Sequence, residues 1–171
     1  ATNRRTDRWG GSVENRIRFA LEVSKAVATA IGAGRTGIRV SPHGVFNGLA
    51  SDAETDALYA RLARELGDLG LVYLHVVDHS AQGAPAPGET LTAAMRKAFC
   101  GAYILSGGYD GARAEADLAA GKGDLVAFGR PFIGNPDLPA RLAKGKALAA
   151  FDPGTLYTPG EKGYSDYPAA A

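Results

Sequence analysis

Four short apolar runs, beginning near Gly37, Leu71, Ala102 and Asp124, alternate with stretches of helical periodicity, and this alternation constrains the fold more than any single residue. Strand-then-helix repetition is the pattern of βα units around a parallel sheet, because a parallel neighbour needs a crossover that returns the chain to the same end. The intervening stretches carry helix punctuation. Ser12 is a candidate N-cap with Glu14 in the first turn, and Ile17, Ala20, Leu21, Ser24 and Ala28 fall at helical spacing. Phe19, Val23 and Val27 lie beside them, so a wide apolar stripe runs until Gly32 and Gly34. Leu58, Leu62 and Leu66 recur every four residues before Gly67 and Gly70. Thr90 is expected to cap a helix containing Leu91, Met95, Ala98 and Phe99, and Asp110 one that ends at Gly121.

The doubly wound sheet and the (β/α)8 barrel both use this alternation. Two glycine-bearing turns bear on the choice. Ser106-Gly107-Gly108 and Gly129-Arg130 follow the last two strands, and barrels commonly place a phosphate site after strands seven and eight. If these are those strands, the expected fold is α/β, a (β/α)8 TIM barrel of which this chain supplies about the last four βα units. Four strands cannot close a structure that takes ~250 residues. The expected organisation is one domain over residues 1–171, with a C-terminal tail from about 150.

The stretch from Asp124 to Leu138 carries the densest chemistry. Leu125 to Phe128 suits a strand buried on both faces, Gly129 ends it, and Asn135 followed by Pro136 predicts a helix from Pro136 to about Lys144. Glycine lets a phosphate approach the backbone N–H, and the Arg130 guanidinium can bind its oxygens in bidentate fashion. A plain strand-to-helix turn with a surface arginine would look the same. Arg39, inside Gly37-Ile38-Arg39-Val40-Ser41-Pro42, is the one charge in its strand; it needs either a structural carboxylate partner or a ligand. His75 and His79 are candidates for metal or acid/base work, but only Asp78 stands near them, and structural roles are the commoner use of such residues.

Composition excludes several classes. With 19 basic and 18 acidic residues the net charge is +1, so no general attraction to nucleic acid or anionic membrane follows, and any anion site must be local. Cys100 is the single cysteine, which rules out an internal disulfide or a cysteine metal cluster and suits a reducing compartment. No apolar stretch approaches the ~20 residues of a membrane span, and the polar start Ala1-Thr2-Asn3-Arg4-Arg5 does not resemble a signal peptide, so a cytoplasmic protein is expected. The absence of an initiator Met suggests a piece of something longer.

Six blocks together carry a resemblance: Asn3-x-Arg5-Thr-Asp7-Arg-Trp9-Gly-Gly-Ser12 through Arg16, Gly37 to Pro42, Tyr73-Leu-His75, Ser106-Gly-Gly-Tyr109, Ala127 to Asp137, and Gly160 to Pro168. In this order they closely resemble the C-terminal half of the Old Yellow Enzyme family. That family comprises FMN-dependent ene reductases on a (β/α)8 barrel that take hydride from NADPH and deliver it to activated alkenes. The resemblance implies FMN as cofactor, NADPH as reductant and no metal. It places Arg39 beside flavin N1 and O2, where a fixed cation would stabilise the negative charge gained on reduction. It makes Ser106, Gly107, Gly108, Gly129 and Arg130 the phosphate cradle, and likens Tyr157 to a tail tyrosine of the substrate pocket, a residue that could equally be a packing aromatic. Trp9, where the family usually has Tyr, and Thr158-Pro159, in a tail segment often rich in glycine, are departures.

The family's substrate-anchoring histidine/asparagine pair and proton-donating tyrosine belong to the N-terminal half, so no catalytic residue is expected among these residues. The expected partner is a complementing N-terminal half-barrel chain, or a second copy through self-association, together with a small activated alkene. The alternative is a non-catalytic half-barrel that self-associates and at most binds a phosphate-bearing ligand.

Overall fold

The computed structural model describes residues 2–169. In chain order the elements are α1 (Val13–Ile31), β1 (Gly37–Val40), α2 (Thr55–Asp68), β2 (Tyr73–Val77), α3 (Glu89–Ala98), β3 (Ala102–Ser106), α4 (Gly111–Ala119), β4 (Leu125–Ala127), α5 (Arg130–Ile133) and α6 (Leu138–Ala143), with short 3-10 turns between some of them. The chain divides into two compact units, one running to Ala127 and one from Phe128 onward.

In the first unit the strands form a single parallel sheet in the order β1-β2-β3-β4. Each crossover is helical, as the alternation of apolar runs predicts. Strand side chains alternate between faces, and the register therefore sorts them into two sets. Leu74, Val76 and Tyr103 point to the face that α1, α2 and α3 cover, where they are buried with Ile17, Leu62, Leu66, Leu91, Met95 and Phe99. On the opposite face Arg39, His75, Ile104 and Leu125 occupy one row across all four strands. Arg39 and Leu125 are exposed there, while His75 and Ile104 are half-buried.

That open face corrects the expectation for the last strand. β4 is three residues long and Leu125 is 53% exposed, so the strand is covered on one side only. The apolar run marks a strand that wants two covers, and this chain provides one. Asp124 fixes the strand's start: its carboxylate accepts the Tyr103 backbone N–H at 2.7 Å and an Arg96 guanidinium N–H at 2.6 Å.

The helices begin largely where their caps predict. Ser12 Oγ accepts the Asn15 N–H, and Asp110 accepts the Arg113 N–H. α3 starts two residues earlier than expected, at Glu89, with Gly88 rather than Thr90 at the N-cap position. The wide stripe of α1 splits in two. Ile17, Ala20, Leu21, Ser24 and Ala28 turn inward, whereas Phe19, Val23, Val27 and Ile31 are 67%, 45%, 39% and 54% exposed. Spaced four residues apart, these last four form a line about 18 Å long at 1.5 Å per residue. Trp9 extends it, meeting Phe19 edge-to-face at 6.1 Å.

In the second unit the predicted helix is shorter and starts later. α6 runs over Leu138–Ala143 with Asp137 at the N-cap position. Asn135 is fully buried and does different work: its amide nitrogen donates to the carbonyls of Pro131 and Ala149, and its side-chain oxygen accepts the Ala149 N–H. An Asn that satisfies two separated backbone segments in this way is a clamp rather than a cap. Arg141, also buried, pairs with Asp137 at 2.8 Å and donates to the Ala147 carbonyl.

Candidate functional site: an open sheet face with an unpaired arginine

Arg39 is central to the site. β1 carries it outward on the uncovered face, where no described residue gives it a hydrogen bond or ion pair. The requirement inferred from the sequence was a carboxylate partner or a ligand, and within the described residues there is no carboxylate partner. Its rung neighbour is His75 on β2. His75 Nε2 lies 2.9 Å from Ser106 Oγ, and the same hydroxyl donates to the Val76 carbonyl at 3.3 Å. Burial, and then the charge of Arg39, push the His75 imidazole below its usual pKa. His75 is therefore neutral at pH 7, and Arg39 is the single cation of its row.

Ser106 opens the turn at the C-terminal end of β3. Gly107 has φ +119°, and a Cβ there would lie 1.9 Å from the Asp78 carbonyl oxygen. Gly108, at φ +62°, would place one 2.7 Å from Ala81 Cβ. Both glycines are thus required by the close packing of this turn on the loop after β2, which the Asp78 N–H to Ser106 carbonyl bond ties down at 2.9 Å.

Arg113, which the sequence reading did not single out, latches the same turn. It donates to the Gly107 carbonyl at 3.1 Å, lies 4.1 Å from the centre of the Tyr109 ring, and approaches Asp78 and Asp117 at 3.8 and 3.7 Å. The Tyr109 hydroxyl donates to Asp117, and burial together with that bond pushes its pKa up to about 12. The available signal was the spacing Asp110-x-x-Arg113, which puts an arginine in the first turn of the helix that follows the glycines.

Gly129 and Arg130 belong to the second unit and follow the C-terminal end of β4 in the chain. Gly129 has φ −96°, and a Cβ would meet nothing within 4 Å, so nothing in the chain itself demands glycine there. Arg130 is exposed without a hydrogen-bond or ion-pair partner among the described residues. α5 spans only four residues, too short for a useful helix dipole, and the charge available at this turn is that of Arg130. Gly129 also lines a cavity of about 540 Å³ with Phe132, Ile133, Leu156, Tyr164 and Tyr167. Tyr157 does not line it and is 98% exposed.

The remaining histidines have local partners. His79 Nδ1 is 2.9 Å from Gln82 Oε1 and its ring meets Phe46 edge-to-face, while His43 bridges Ser51 and Asp56. Among the described residues no three His, Cys, Asp or Glu side chains gather as a metal site would require. No helix among them is long and apolar enough to cross a membrane.

Taken together, four parallel βα units with an arginine on the open face that has no partner among the described residues, and glycine turns after the last two strands, have the architecture of half of a (β/α)8 barrel. Residues 1–149 match the NADH:flavin oxidoreductase / NADH oxidase family, and the chain belongs to that family, among its Old Yellow Enzyme members. It is 39% identical over 170 residues to 12-oxophytodienoate reductase 2 of Arabidopsis thaliana, covering 98% of this chain and 45% of the relative. The structure of morphinone reductase superposes with a TM-score of 0.93 at 48% identity, covering 99% of this chain and 45% of that one. An Old Yellow Enzyme homologue from Zymomonas mobilis superposes at 0.91 with 36% identity, over 99% of this chain and 48% of its own. The chain spans about half the length of the curated relatives it matches.

The residues present suit the FMN that the family name implies. An anionic, phosphate-bearing cofactor calls for cations not neutralised by the chain itself, and among the described residues Arg39 and Arg130 both meet that condition.

Proposed function

We propose that this chain forms the C-terminal half of an FMN-dependent reductase that takes hydride from NADPH and reduces activated alkenes such as enones. The observation that carries the reading is Arg39, a guanidinium held on the open sheet face without a carboxylate. Bound FMN would supply the two-electron chemistry of passing hydride from nicotinamide to alkene. Arg39 offers positive charge to the ring region that becomes negative on reduction, and the phosphate contacts are assigned to Arg130 and to the backbone N–H groups of Ser106, Gly107, Gly108 and Gly129. Tyr157 is assigned to the substrate side of the site. Membership of an oxidoreductase family weighs against the non-catalytic alternative. A second reading concerns the reductant: morphinone reductase has been solved with tetrahydroNAD, which favours NADH over NADPH.

The proposed partner is an N-terminal half-barrel. Two features support it: the exposed line Phe19, Val23, Val27 and Ile31 on α1, and the free outer edge of β1 in the same sheet. An unpaired sheet edge and an uncovered apolar helix face are each what one more strand or helix would cover.

Co-expression with the N-terminal half of a relative tests both points. The assembly should retain FMN and oxidise NADPH or NADH in the presence of an α,β-unsaturated ketone. The double substitution Val23→Lys with Val27→Lys should abolish assembly while leaving the isolated chain's unfolding within ~0.5 kcal/mol, since both residues are surface residues in it. Arg130→Ala should weaken binding of oxidised and reduced flavin alike. Arg39→Ala should lower the two-electron potential, by on the order of 20–60 mV for 1–3 kcal/mol lost from the reduced form alone. An assembly that forms but binds no FMN would refute the reading.

A further inference from the structure

His75 has no assigned role, yet it shares a rung with Arg39 and is tied to Ser106 on the next strand. The Ser106 hydroxyl has one proton and two neighbours, the Val76 carbonyl at 3.3 Å and His75 Nε2 at 2.9 Å. A carbonyl only accepts, so with the hydroxyl proton on Val76 O, Ser106 Oγ accepts from His75 Nε2–H. In that arrangement a neutral imidazole, with its one N–H, leaves Nδ1 as an acceptor without a hydrogen-bond partner among the described residues. Burial and the neighbouring guanidinium both disfavour a second proton on the ring.

We propose that His75, held by Ser106 as the neutral Nε2–H tautomer, is a positioning residue for Arg39. It presents an uncharged acceptor nitrogen on the rung shared with the guanidinium and keeps the row at one positive charge. A residue able to charge there would set two cations on strands about 4.8 Å apart. The apolar alternative would leave no neutral acceptor on the rung of Arg39. Ser106 accordingly does two things: its hydroxyl fixes the tautomer of His75, and its backbone begins the turn through Gly107 and Gly108. This inference rests on the flavin reading of Arg39 given above.

The test uses the flavin-loaded assembly and has two independent readouts. Nitrogen NMR of the His75 ring at pH 7 should show Nδ1 as the bare nitrogen, and Ser106→Ala should release it into a mixture of tautomers. The ratio of reduced to oxidised flavin affinity should fall about threefold to tenfold in His75→Ala. It should be retained in His75→Gln, whose amide keeps a donor for Ser106 and a neutral acceptor. Finding Nδ1 protonated in the unmodified protein would overturn the proposal, as would an unchanged ratio in His75→Ala while Arg39→Ala still lowers it. Should Arg39→Ala also leave the ratio unchanged, the flavin reading of Arg39 would fall, and this inference with it.

Discussion

The two faces of the sheet are made by the same strands and have opposite characters. On the helix side, Leu74 and Tyr103 are fully buried against Leu66, Leu91 and Met95, and the contacts are apolar and mutual. On the other side, Arg39 is exposed without a partner among the described residues, and Leu125 is 53% exposed. One face is finished by this chain and holds the fold together. The other is unfinished and carries the polar groups suited to a ligand. The packed core and the candidate site are thus separated by the two-residue period of the strand, so that neighbouring residues such as Leu74 and His75 face different surroundings.

The sharpest way to break this comparison is to truncate one side chain on each face. Leu74→Ala, at full burial, should cost ~2–5 kcal/mol, and Leu125→Ala should cost under ~1 kcal/mol in the isolated chain. Urea unfolding monitored by far-UV circular dichroism would read both, and equal losses would mean that the second face is not open in solution. The two glycine turns offer a contrast of similar kind. Gly107→Ala combines positive φ with a Cβ 1.9 Å from a backbone oxygen, so a loss of ~2–3 kcal/mol is expected. Gly129→Ala meets open space at negative φ and should leave folding nearly unchanged. Any loss of flavin affinity in the Gly129 variant would then report directly on ligand contact.

The smallest expected effect is electrostatic. His75 has a folded pKa below its ordinary 6.5, so between the two values the unfolded chain binds more protons, and stability falls as pH drops below 6.5 toward the folded pKa. The contribution is fully present above 6.5. Measured between pH 5 and 7, His75→Gln should flatten that slope by less than ~1 kcal/mol across the window. A slope unchanged by the substitution would place the titrating group elsewhere.

Much of this was legible in the residues. Four apolar runs, the caps at Ser12 and Asp110 and the helix-ending glycines are local signals, and they depend on φ/ψ preferences and on side chains reaching their own backbone a few residues away. The six blocks that resemble Old Yellow Enzymes were likewise readable one after another. Arg39 was conspicuous because a lone charge in an apolar strand violates a local rule. What could not be read was set by contacts distant in sequence. Asn135 looks like a cap until Ala149 returns to meet its amide. Arg113 looks like a surface residue until the Gly107 carbonyl and the Tyr109 ring are placed beside it. The stripe on α1 gives no sign of which half turns inward, because periodicity reports only that apolar residues share a side. The sequence alone determined the strand and helix alternation, the turns and the lone charge of the first strand. Only the tertiary structure decided which face of each strand is packed, which hydroxyl His75 meets and which glycines the chain itself requires, since each depends on atoms brought together from separate strands and loops.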